Sequence, residues 1–160
     1  MPSREAIPFV SSQFNEMYPV FSPDGRWLAY TSDETARSEV YVRPFPGPGE
    51  IRPISSAGGI EPLWSAKGDE LYYRQQNPPR LMAVSVRPAT TELFGSPREL
   101  FDVSQFAPGG CHRNYDTLDG QRFLMVKIEI EAEPSQAVTE MILVTNWFEE
   151  LKRLAPPGKR

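Results

Sequence analysis

Residues 21–30 read FSPDGRWLAY, and this stretch decides the fold. Ser22-Pro23-Asp24-Gly25 has the make-up of a type I turn: Pro23 presets φ, Asp24 can accept hydrogen bonds from its own backbone, and Gly25 tolerates the left-handed position that closes it. Tyr18 to Phe21 on one side and Trp27 to Thr31 on the other are short aromatic and aliphatic runs suited to a pleated strand. The unit is therefore strand, tight turn, strand.

Working outward, further strands are expected over 38–44 and 51–55, completing a first four-stranded unit with 18–22 and 26–32. They are separated by SPDG, by the polar DETAR stretch and by the Pro/Gly-rich FPGPGE. The pattern then restarts. EPLWSAKGDELYYR (61–74) lies over YPVFSPDGRWLAYT (18–31) at a displacement of 43 residues, matching Pro62 to Pro19, Trp64 to Phe21, Ser65 to Ser22 and Gly68 to Gly25. Its later strands are expected at 80–87 and 97–103. A third copy begins at Asn114, where NYDTLDGQRFLMV puts Gly120 on the turn glycine and Phe123 to Val126 on the second strand, with MILVTN (141–146) as the third.

A four-stranded unit recurring every about 40–50 residues is the signature of a β-propeller, each unit being one blade. Apolar runs such as WLAY, LYY, LMAV, FLMV and MILV fit strands covered on both faces. The expected fold class is all-β: a partial β-propeller of about three four-stranded antiparallel blades with a short C-terminal helix. The division is 1–14 as a strand belonging to a neighbouring blade, 15–57 as blade one, 58–105 as blade two, 106–146 as blade three without its fourth strand, and 147–160 as helix and tail. In that tail Asn146 caps and Glu149 takes the third helical position, while Trp147, Phe148, Leu151 and Leu154 share one side before Pro156-Pro157-Gly158.

Composition narrows the function. The 17 prolines and 11 glycines among 160 residues are turn punctuation, and 39% hydrophobic with 24% charged residues places the chain among globular proteins. A net charge of −4 argues against a phosphate-binding surface, so no nucleic-acid partner is expected. The single cysteine, Cys111, excludes an internal disulfide and a multi-cysteine metal site. No apolar run approaches the roughly 20 residues of a membrane span, and MPSREAIPF lacks the apolar core of a signal peptide. As written the chain reads as soluble; the compartment stays open, including an extracytoplasmic place in a longer membrane-anchored parent.

The strings YPVFSPDGRWLAYTSD, EVYVRPFPGPG, GGIEPLWSAKGDELYYR and LMAVSV resemble successive blades of TolB-type propellers, especially the carboxy-terminal propeller of certain bacterial serine/threonine protein kinases. NYDTLDGQRFLMVK followed by NWFEELKRLAP is similar to their terminal blade and tail. The resemblance covers no kinase: the Gly-rich loop, H-R-D and D-F-G motifs are absent, so phosphoryl transfer does not carry over. Lys67 stands where the turn aspartate belongs, Leu118 where the turn proline belongs, and Tyr115 to Gly120 is one residue short of the pattern, so looser turns are expected there.

Asp24 and Asp119, recurring beside Gly25 and Gly120, read with Gly68 as structural turn residues and not as a paired-carboxylate site. Cys111-His112 could suggest a thiolate and its base, but neighbours in extended chain point to opposite faces. No G-x-S-x-G elbow occurs. The first strand of each blade lines a propeller's central channel, and the residues entering it crowd one mouth. The set expected there to bind a protein or a small polar ligand is Glu16, Tyr18, Glu61, Arg113 and Asn114, with no catalytic residue, metal or cofactor. The enzymatic alternative has Glu16, Glu61 and Asp116 hold a divalent cation for hydrolysis. With only three blades, the expected partner is a second copy in a homodimer or missing upstream blades.

Overall fold

The computed structural model describes residues 8–87, 93–110 and 112–127, all within one compact unit, Met1–Ile128. Among these residues two four-stranded antiparallel sheets and one hairpin follow one another. The first sheet is β1 (Glu16–Phe21), β2 (Trp27–Ser32), β3 (Glu39–Pro44) and β4 (Arg52–Pro53), in that order. The second is β5 (Ile60–Trp64), β6 (Glu70–Gln75), β7 (Arg80–Ser85) and β8 (Arg98–Asp102). The hairpin is β9 (Tyr115–Thr117) with β10 (Phe123–Met125). Among the described residues no helix is long and apolar enough to cross a membrane.

The turns explain the repeat. Gly25, Gly68 and Gly120 have φ of 69°, 74° and 70°, the left-handed region in which a Cβ is penalised. In the first turn Gly25 N–H donates to the Ser22 carbonyl (2.9 Å), and the Ser22 hydroxyl donates to Asp24 (2.6 Å). The second turn is not looser for having Lys67. Gly68 N–H donates to the Ser65 carbonyl (2.9 Å), and the Ser65 hydroxyl finds Asp69 instead (2.6 Å), the carboxylate having moved to the far side of the glycine. In the third, the Thr117 hydroxyl accepts from Gly120 N–H (3.0 Å) and Asp119 accepts from the Gln121 and Arg122 amides.

Strand alternation stacks the sheets in chain order. Ala29, Val40 and Val42 of the first sheet meet Trp64, Leu71, Tyr73 and Val84 of the second. The opposite face of the second sheet, with Leu63, Tyr72, Leu81 and Ala83, meets Tyr115, Phe123 and Met125 of the hairpin. Tyr72 and Phe123 stand edge to face, 5.2 Å apart at 89°. β6, the strand after the second turn, thus sends alternate residues to the preceding sheet and the following hairpin, and so its apolar run is continuous.

β1 and β5 carry the same irregularity. Two residues, Tyr18-Pro19 in one and Glu61-Pro62 in the other, oppose one residue of the partner strand, Tyr30 or Tyr73. At these bulges Tyr18 (φ 55°) and Glu61 (φ 57°) are left-handed. Such a conformation costs a non-glycine residue on the order of 1–3 kcal/mol and re-aims its side chain.

Four expectations need correction or fall outside. Residues 8–14 are bends and not a strand: Pro8 has no N–H to pair, and Phe9 meets Phe45 edge to face (4.9 Å, 68°) and lies under the Arg43 guanidinium (4.5 Å). This segment lies on its own first sheet, with Phe9 and Val10 against Leu28, Tyr30 and Tyr41. The 51–55 strand shrinks to Arg52–Pro53, since Pro53 interrupts the ladder and the Ser55 hydroxyl takes over by accepting the Val40 N–H (2.8 Å). The expected third strand at 141–146 and the helix from 147 lie outside the described residues.

Candidate functional site

Four of the five expected mouth residues converge on the connection 108–114, which leads from the second sheet into the hairpin. Tyr18, turned out of β1 by its bulge, sets its hydroxyl 2.9 Å from the Gly109 carbonyl and 2.8 Å from that of Gly110. Glu61, turned out of β5 in the same way, is 0% exposed. Its two oxygens accept from Gly109 N–H (2.7 Å) and Asn114 N–H (3.0 Å). Here a Cβ on Gly109 would collide with the His112 carbonyl.

The remaining groups interlock. Tyr115 donates to the Glu61 carbonyl (2.7 Å), and full burial pushes its phenol well above the usual range. Arg113 donates to the Tyr115 carbonyl (3.0 Å) and Asn114 to that of Pro108 (3.2 Å). Arg74, on β6 and buried, lies 4.0 Å from Glu61 and donates to the carbonyls of Ala107 (2.8 Å) and Phe106 (2.9 Å). A buried pair of this kind persists when further hydrogen bonds satisfy both ions, as they do here.

The rim expected of Glu61 is therefore corrected: the bulge directs its carboxylate inward onto backbone amides. Glu16 is not part of this group. It accepts from the Ser12 hydroxyl (2.6 Å) and borders an apolar cavity of about 250 Å³ on the outer face of the first sheet, with Phe9, Val10, Met17, Leu28 and Tyr30. Asp116 accepts from the adjacent Thr117 N–H (2.8 Å). Among the described residues no group of three His, Cys, Asp or Glu is placed to hold a metal ion. Cys111 lies outside those residues, and His112 is exposed.

Sequence reasoning missed Arg74 and Glu39. Glu39, at the start of β3 and 3% exposed, accepts from the Ser55 hydroxyl and the Gly58 N–H (3.0 Å) and pairs with Arg37 (2.6 Å). It fastens the link between the two sheets much as Glu61 fastens the link to the hairpin. The turn aspartates keep their structural reading. Hydrogen bonds from the Ser22 hydroxyl and then the Arg26 amide hold Asp24 down to about 2, and the Arg122 amide and side chain do the same for Asp119.

The other notable surface is apolar. Leu118, Leu124 and Val126 of the hairpin region are exposed. Beside Leu124 runs a groove of about 430 Å³ lined by Asp116, Thr117, Leu118, Arg122 and Phe123.

No family model and no curated protein matches the chain. Among solved structures it is similar to one described as "The structure of putative TolB from Agrobacterium tumefaciens", with 21% identity and a TM-score of 0.48. The match covers 59% of this chain and 36% of that one, so the chain spans little more than a third of its length.

Proposed function

We propose that the chain is a non-enzymatic propeller-type module that binds protein or a small polar ligand, in the manner of the sensor or scaffold propellers its repeats resemble. Its blades act with a second copy or with upstream repeats. The observation that supports this most is the commitment of Glu61: both carboxylate oxygens already hold the 109–114 connection. A catalytic or metal-binding carboxylate must be reached by substrate or cation, whereas this one is fully buried against backbone amides.

A thermal-shift series with calcium, magnesium and zinc tests the reading. A specific site would add about 2.7 kcal/mol at a hundredfold excess over Kd. The expected result is no shift with any of the three. A saturable shift with one ion, absent in Glu16→Gln or Asp116→Asn, would favour the metal-dependent hydrolase.

A further inference from the structure

We infer that the exposed hairpin face around Leu124 docks on the outer face of the first sheet of a second copy, Leu124 entering the apolar cavity beneath Phe9 and Val10. The register of the repeat carries this. Ala29, Tyr72 and Leu124 each stand four residues after a turn glycine, and in the first two sheets that position faces the following sheet. Ala29 is 0% exposed and Tyr72 is 1%, whereas Leu124 is 76%. The position three after the glycine faces the preceding sheet: Leu71 and Phe123 do so within the molecule. Leu28, their equivalent, instead floors the cavity at the other end of the stack.

The two ends are thus the two halves of the contact the molecule already makes twice internally. One end projects an exposed leucine. The other offers an apolar hollow of about 250 Å³ with Glu16 at its border, while Arg122 lies beside Leu124. A second copy supplies this complement without any new kind of interface. The contact is head to tail, and two copies close it only if each hairpin reaches the other's first sheet.

The inference deepens the proposed binding role and rests on it for the kind of partner, but its test is independent of metal response. The full chain is prepared with Cys111→Ser, and a Leu124→Cys form is mixed with a Val10→Cys form and treated with a short bis-maleimide. A mixed cross-linked dimer is expected, with little product from Leu124→Cys alone. Leu124→Asp, a change at an exposed site, is expected to weaken the dimer about tenfold or more in light scattering. A monomer at every concentration, a dimer indifferent to Leu124→Asp, or a dominant Leu124–Leu124 product would each overturn it.

Discussion

Ala29, Val40, Val42, Trp64 and Tyr73 close the junction between the first two sheets by apolar contact, and Glu39 sits only at its end, tying down Ser55 and Gly58. The junction between the second sheet and the hairpin has a smaller apolar share and a polar centre: Glu61, Arg74 and Tyr115, bound to one another and to the backbone of 106–114. The difference follows from strand length. The first junction joins two sheets with six-residue second strands, whereas β9 and β10 have three residues each. Where the hairpin offers little ladder, buried hydrogen bonds to the connection define its position instead.

That contrast is broken most strongly at Glu61. Glu61→Ala leaves Arg74 buried without its carboxylate and two amides without acceptors, and is expected to lower stability by about 3–5 kcal/mol in urea unfolding. Glu39→Ala is expected to cost less, about 1–3 kcal/mol, because its ion partner Arg37 is exposed and can turn to water. If Glu39→Ala proves the more damaging, the second junction is not the one that depends on charge.

Substitutions in the turns are expected to have smaller effects. A Cβ at Gly25 meets nothing within 4 Å, so Gly25→Ala reports left-handed strain alone, about 1–2 kcal/mol. At Gly120 the same Cβ would collide with the Tyr72 hydroxyl, which donates to Glu70 (2.7 Å). Gly120→Ala should therefore cost more than Gly25→Ala and disturb the Tyr72–Phe123 contact, visible in near-ultraviolet circular dichroism.

The pH dependence carries the smallest expected effect. Asp24 is held near 2, below its ordinary 3.8, so its contribution is complete above about pH 4 and is lost as pH falls toward 2. Asp24→Asn should flatten that acid limb. At the other extreme burial holds Tyr73 up to about 12, so the stability tied to its neutral phenol is complete below pH 10 and is lost as pH rises toward 12. Tyr73→Phe should reduce the alkaline loss in thermal melts.

Much of the fold was legible because it rests on local chemistry. Gly25, Gly68 and Gly120 mark turns that only glycine closes comfortably, and the continuous apolar runs announce strands covered on both sides. The site was half legible. Tyr18, Glu61, Arg113 and Asn114 do come together, but a polar residue entering a strand reads as a rim residue, and nothing in Glu61-Pro62 states that the bulge turns its side chain inward. The signal was there in part: an equivalent residue precedes proline in both units, at Tyr18 and Glu61. Arg74 and Glu39 were invisible because most of their partners are backbone groups of connections 19 to 33 residues away, which no short-range pattern encodes. Asp69 escaped notice because it serves its turn from the other side of the glycine. The Pro8 segment misled because apolar residues around a proline suit both an edge strand and a packed bend.

Glu61 holds the 109–114 connection through hydrogen bonds to both of its carboxylate oxygens. Amide hydrogen exchange at Gly109 and Asn114, measured in the unaltered chain and in Glu61→Gln, addresses it directly. Both amides are expected to be protected in the unaltered chain. In Glu61→Gln, whose side chain has one acceptor oxygen in place of two, at least one should exchange faster while the amides of β2 and β6 keep their protection. Unchanged exchange at both positions would contradict this role of Glu61.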